Sequence, residues 1–325
     1  MRYIFFIIIS FSYIFANAHI FVYHRFADDR YQSANTTIKE LTRQFEYFKT
    51  HNYKVVPLND ILDKLSKNEE VPSNWIALTI DDAYKSFYDS GLEVFKKYNY
   101  PFSLYVYVEA TDKKYGDFMT WDQIKEASKY GSIGLHSYSH PRLQNLSPSL
   151  IVEDTQKAYD IFVKNLNIKP QTYAYPYGEY TKEVTNTLSK NFNFKAILNQ
   201  STGSINETTK LNDIPRIALV GDVNIEHKLR YKSFNVEWYE PKVFPSDGIL
   251  KRVHAKVDKK IKNLKLYITR EGWQDVKVKD GIVDVPLNIH LKRARTRVML
   301  GTDVFTISNN IINKIKKQKG KNNVK

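Results

Sequence analysis

From residue 20 to about residue 220 the chain alternates short apolar runs with stretches whose apolar residues return every three or four positions. The runs are IFVY from Ile20, KVV from Lys54, WIALTI from Trp75, FSLYVYV from Phe102, SIGL from Ser132, TYAY from Thr172, KAIL from Lys195 and IPRIAL from Ile214. Each is strand-length. Between them lie helix signals. Thr37 to Glu40 has the pattern of a capping box, and Ile38, Leu41, Phe45 and Phe48 then share one helical face. Thr120 to Gln123 repeats the box, and Ser147-Pro148 fits an N-cap followed by proline at the first helical position. Such alternation predicts an α/β fold with a mostly parallel sheet, closed as a barrel or open and doubly wound.

After about residue 232 the period falls to two. Phe234, Val236 and Trp238 alternate, as do Leu264, Leu266 and Ile268, then Leu287, Ile289 and Leu291, then Val298 and Leu300. Turn signals such as PSDG and KDG separate them. This predicts a small all-β, sandwich-like unit.

At the N-terminus, Met1-Arg2 precedes an apolar stretch that ends at Phe15, followed by Ala16-Asn17-Ala18. That is the layout of a signal peptide, too short for a membrane anchor, and it predicts a mature chain starting at His19 in the periplasm or outside the cell. The formal charge of +14 favours anionic surroundings, but six lysines fall within residues 313–325, which read as a solvated basic tail. Export argues against nucleic acid as a partner. With no cysteine, a metal would need His, Asp, Glu or water as ligands.

The chemistry gathers after two strands. Asp81-Asp82 follows WIALTI, and His136 and His140 follow SIGL. Taken alone, the Asp pair reads equally as a helix N-cap and the His pair as polar loop residues. Together they supply carboxylate and imidazole at strand carboxyl ends, where α/β barrels gather their active-site loops. Two imidazoles and one carboxylate suit a divalent ion that retains open positions, and hence metal-assisted hydrolysis. Neighbours in extended chain point to opposite sides, so one aspartate can bind the ion while the other faces substrate.

LTIDDAY, LHSYSH and AYPYGEY resemble, in this order, the first three motifs of the NodB-type polysaccharide deacetylases, carbohydrate esterase family four, usually T-F-D-D, H-S/T-x-x-H and R-x-P-Y. FVYHRF, NYKVVPLNDIL and TWDQIKEA are similar to the branch that deacetylates poly-N-acetylglucosamine of biofilm matrix. The resemblance covers about residues 20–220. It implies a distorted (β/α) barrel of the NodB deacetylase type over residues 19–230; the period-two pattern places a β-sandwich accessory domain over 231–310, and the lysine run a basic tail over 311–325.

It further implies that Asp81 is the general base and that Asp82, His136 and His140 bind a divalent metal, zinc first, with nickel, cobalt or iron also compatible. Tyr177 would offer its backbone N–H to the oxyanion beside Pro176, and Trp121 would line the acetyl pocket or join the core. The usual late L-x-H motif has no convincing match: NIEHKL lies near the domain end and NIHL within the β unit. In the biofilm branch the histidine of the first strand takes its place, which here is His24. The third motif begins with Ala174 where the family has an arginine that pairs with the base. Arg216 is the candidate substitute to orient Asp81, with an ordinary surface arginine as the alternative.

The expected substrate is an extracytoplasmic N-acetylated polysaccharide, poly-N-acetylglucosamine first, then peptidoglycan or chitooligosaccharide. The β unit would position the barrel on polymer or on a cell-envelope or exopolysaccharide-export partner. Two rivals share these residues: the site of two histidines and one carboxylate found in non-haem iron oxygenases, and a secreted glycan-binding protein without turnover.

Overall fold

The structure, a computed structural model, describes residues 17–206 and 208–315. Most of the expected signal peptide and tail lies outside these residues. Where the two overlap, Ala18 is buried and exchanges backbone hydrogen bonds of 3.0 and 2.8 Å with Ile205. His19, expected to open the mature chain, is 3% exposed.

Eight parallel strands make the first sheet: β1 (His19–Tyr23), β2 (Lys54–Val55), β3 (Trp75–Ile80), β4 (Ser103–Val106), β5 (Ser132–Leu135), β6 (Thr172–Ala174), β7 (Ala196–Leu198) and β8 (Ile217–Ala218). Their order is β8-β1-β3-β4-β5-β6-β7, with β2 pairing the start of β3. The ring is completed by the segment leading into β8. Ile214 pairs in parallel with Leu198 of β7, and three residues later Ile217 pairs with Phe21 of β1. The alternatives left by the residue pattern thus resolve toward a distorted barrel.

The strands read as unbroken apolar runs because both faces are covered. One face meets the helices, with Phe21, Leu78, Val106 and Leu135 packed against Leu41, Phe45 and Phe95. Those partners come from α1 (Ile38–Thr50) and α3 (Leu92–Tyr98), which follow β1 and β3; α2 (Leu58–Ser66) lies between them in the chain. The other face gathers Ile20, Ala77, Tyr105, Ala174 and Leu198, closed by Leu58, Ile61, Leu62 and Leu65 of α2. This inner side carries the small Ala174, which leaves room beside β6.

The capping boxes divide. Thr120 and Gln123 make the full reciprocal box, and Ser147 accepts from Leu150 N–H with Pro148 inside the helix. Thr37 accepts from Glu40 N–H at 3.1 Å, but Glu40 does not reach back. Its carboxylate instead takes Arg43 and Gln44, each at 2.7 Å, and the Val223 N–H beyond β8 at 3.4 Å. A buried acid with three donors elsewhere has no reason to serve its own N-cap.

Beyond residue 232 a five-stranded and a three-stranded sheet share one apolar core, in which Leu250, Val253 and Val283 meet Leu264, Leu266, Val298 and Leu300. The KDG signal is a tight hairpin turn, with Asp280 and Gly281 both at positive φ, 51° and 80°. Among the described residues no helix is long and apolar enough to cross a membrane.

His19 gives this fold a pH signature. Burial pushes its imidazole down to about 4, against a weaker upward pull from its bond to Tyr231 O at 3.0 Å. With the folded value depressed, the unfolded chain takes up the proton first, so stability is complete above about pH 6.5 and declines as pH falls toward 4. The loss from this group is roughly 3 kcal/mol. Urea unfolding at pH 7 and pH 4.5 checks it: His19→Gln, which cannot titrate, is expected to lose about 2–3 kcal/mol less than the parent between the two.

Candidate active site

The strand ends deliver the side chains. Asp81 and Asp82 follow β3, His136 follows β5, His24 follows β1, Tyr177 follows β6 and Gln200 follows β7. All but Asp81 line one cavity of about 1050 Å³. Several of these positions need unusual backbone. Asp82, Ser137, His140 and Tyr177 have φ of 72°, 65°, 51° and 59°. Left-handed backbone costs a non-glycine residue free energy and persists where the surroundings over-determine it.

Those surroundings are visible at the histidine loop. Asp154, from the long helix Pro148–Leu166, accepts the N–H groups of Tyr138 and Ser139, each at 2.9 Å, and Ser137 Oγ accepts from His140 N–H at 2.9 Å. The loop is therefore folded so that His140 turns back toward His136, with ring centroids 4.8 Å apart. Nε2 of His136 and Nε2 of His140 lie 3.4 and 3.3 Å from Asp82 Oδ1, and 3.2 Å from each other.

The three residues offer donor atoms that all lie within 4.8 Å of one another. Asp82 Oδ1 is buried with no hydrogen-bond partner. His136 gives its Nδ1 side to Ala174 O at 2.8 Å, which turns the Nε2 lone pair inward. Burial, and then the neighbouring His136, bring the His140 imidazole down to about 4. A cluster of acceptors without a proton donor is what a cation satisfies. The donor set fits a divalent metal of borderline hardness.

Asp81 stays outside that cluster, with Oδ2 at 3.9 Å from His136 Nε2. It is fully buried and held from behind by Arg216, whose Nη1 and Nη2 donate to its two oxygens at 2.6 and 2.8 Å. Arg216 is itself fully buried, and also donates to Asn199 O and Thr79 Oγ1. Burial alone would raise the Asp81 carboxyl; the Arg216 charge overcomes it and holds the group well below the ordinary carboxylate range. An arginine from the barrel's closing segment thus occupies the place opposite Asp81 that Ala174 cannot fill.

Gln200 joins the remaining parts. Its amide nitrogen lies 3.1 Å from Asp81 Oδ2 and 3.4 Å from His24 Nε2. Gly178, at φ 63°, lies so close to Gln200 that an added Cβ would meet the Gln200 Cβ at 2.4 Å and its N at 2.6 Å. Glu179, only 3% exposed, accepts from Arg142 and from Gln144 Nε2 at 2.9 Å, fixing the end of the turn. The Tyr177 ring is 41% exposed and rests against His140 at 4.5 Å between centroids.

Pro176 is buried within the turn. Trp121 is elsewhere: half-buried at a helix start, edge-on to Phe162, and outside the cavity lining. His227 packs on Tyr231 and Phe305, and His290 is exposed in the C-terminal sheets, so neither late histidine joins the site. The residue pattern missed Gln200, Asp154 and Glu179. Only Glu179 had a signal, its place within AYPYGEY.

Comparisons with known proteins agree with this geometry. Residues 68–197 match the family described as polysaccharide deacetylase. A poly-beta-1,6-N-acetyl-D-glucosamine N-deacetylase of Escherichia coli K12 is 23% identical over 243 residues, covering 62% of this chain and 35% of that protein. The chain thus spans about a third of that relative's length. Among solved structures, the Streptococcus pyogenes deacetylase PplD in complex with acetate superposes with a TM-score of 0.61 at 22% identity, over 66% of this chain and 98% of that one. IcaB from Ammonifex degensii gives 0.56 at 22% identity, over 64% and 93%. At such identities the superpositions speak for the fold. The order of the motifs, the barrel and the match over residues 68–197 agree in relating this part of the chain to the polysaccharide deacetylases.

Proposed function

We propose that the protein hydrolyses N-acetyl groups from an extracytoplasmic, N-acetylglucosamine-containing polysaccharide, poly-β-1,6-N-acetylglucosamine or a close relative, in a metal-dependent reaction. The observation that carries this reading is the separation of roles between two neighbouring aspartates, one lining the cavity and one buried behind it. Asp82, His136 and His140 converge on a common point while Asp81, beside them, is committed to Arg216. The similarity to an enzyme named for that polymer supports the substrate, and the N-terminal signal pattern supports the location.

Asp82, His136 and His140 would hold the ion. When bound, a divalent cation there supplies Lewis acidity toward the amide carbonyl and acidifies water. Asp81, kept ionised and aimed by Arg216, accepts the proton of the attacking water. The Tyr177 N–H, presented by a turn already in its left-handed conformation, donates to the oxyanion as it forms, a contribution of about 3 kcal/mol in comparable sites. His24, at the wall of the same cavity, protonates the departing amine.

Acetate release over a panel of β-1,6-linked N-acetylglucosamine oligomers, chitooligosaccharides and peptidoglycan fragments, with metal content measured in parallel, tests the reading. Asp82→Asn is expected to lose the ion and the activity together. Asp81→Asn should retain the ion and lose activity by about 10²–10⁴-fold. Release of no acetate from any N-acetylated glycan by metal-loaded parent protein would overturn the assignment. Oxygen-dependent turnover without acetate would point to the iron-oxygenase class.

A second prediction concerns the ion pair. Arg216→Met leaves a buried, uncompensated Asp81 and is expected to cost about 3–5 kcal/mol of unfolding free energy. Combining it with Asp81→Asn should recover much of that stability with no return of activity, as chemical denaturation and acetate assays together would reveal.

A further inference from the structure

The C-terminal sheets do more than sit beside the barrel: Ala294, Arg295, Asn313 and Lys314 form one wall of the cavity that holds Asp82, His136 and His140. Of these, Arg295 opens the strand Arg295–Gly301 and reaches across the seam. Its Nη1 donates to the backbone carbonyl of Tyr177 at 2.8 Å and stands 3.9 Å from Glu179 Oε1. Its Nε is buried without a partner, so the side chain touches the barrel through its guanidinium tip.

That contact falls on a backbone unit with little freedom left. The Tyr177 carbonyl belongs to the peptide joining Tyr177 to Gly178, whose φ values are 59° and 63°. Holding this plane restrains ψ of Tyr177 and φ of Gly178; the Tyr177 N–H lies in the preceding peptide plane, one rotation further, so a loosened turn would leave its direction free to vary. The turn closes on itself through Gly178 N–H to Tyr175 O at 2.8 Å, the barrel holds its start through Tyr175 N–H to Leu198 O at 2.9 Å, and Glu179 anchors its far end. Arg295 supplies the hold from above.

We propose that Arg295 is a positioning residue for the reaction, acting through the Tyr177 turn, so that the C-terminal sheets complete the active site as well as flanking it. The assignment of a catalytic role to the Tyr177 N–H rests on the deacetylase reading above; the hold on the turn does not. An oxyanion donor matters only as charge develops, so loss of its alignment lowers kcat and leaves KM nearly unchanged. A residue that merely docked two sheets would lower stability throughout. One that gripped substrate would raise KM.

Two readouts on full-length Arg295→Ala and Arg295→Lys separate these cases. Hydrogen exchange over residues 175–180 should quicken by about tenfold in the alanine variant, with peptides from α1 and from the strand Asn263–Ile268 unchanged. On a short N-acetylated oligosaccharide its kcat should fall by about 10–100-fold, with KM within about twofold and metal content intact. Arg295→Lys, which keeps a donor at the tip, should restore part of both. Unchanged exchange at 175–180, a rise in exchange across the whole chain, or a change in KM alone would overturn the proposal. If the parent protein releases no acetate, the functional reading fails and the exchange data still decide whether Arg295 holds the turn.

Discussion

The buried pair between Asp81 and Arg216 is the constraint around which the site is arranged. Two ions without solvent are expensive, and their attraction offsets that cost only when the geometry is good and the remaining donors are satisfied. Here both conditions hold. Two parallel bonds join the guanidinium to the carboxylate, and Thr79 and Asn199 take further guanidinium donors. The pair commits Asp81 to the guanidinium, while its neighbour Asp82 keeps a buried oxygen without a partner beside two imidazoles. Two adjacent aspartates thereby become chemically unlike.

Backbone strain marks the same region. Asp82, Ser137, His140 and Tyr177 all sit at positive φ, each at a cost of order 1–3 kcal/mol. Their supports come from scattered places: Asp154 on a helix packed outside the barrel, Glu179 beneath the turn, Arg295 from the C-terminal sheets. None of these supports touches the converging donor atoms. Their role is to make a sparsely populated backbone the stable one, so that no rearrangement is needed when charge appears in the cavity.

This division explains what the sequence disclosed. Strands covered on both faces show as apolar runs, and WIALTI and SIGL match β3 and β5 residue for residue. Residues placed at the ends of such runs, Asp81, Asp82, His136 and His140, were therefore legible. The supports were not, because a salt bridge between residues 135 positions apart leaves no local pattern. Arg216 was a candidate only through the arginine that the third motif lacks, with an ordinary surface arginine as the alternative. In the C-terminal part, Ile249–Lys256 escaped because a register shift between Leu250 and Arg252 breaks the alternation of buried positions, which fall at Leu250, Val253 and Ala255. Thr306–Asn313 carries asparagines where alternation would want apolar groups.

The joint at Ile214 to Ala218 has a consequence for how the protein matures. Arg216 lies in the segment that meets both Leu198 and the first strand, and such distant partners come together slowly, after local helices and neighbouring strands have formed. Asp82, His136 and His140 belong to the middle of the chain and depend on it less. A half-assembled molecule, open along that one edge, would thus have Asp82, His136 and His140 in reach of one another while Asp81 still lacked its guanidinium partner. Sealing the ring is what arms it.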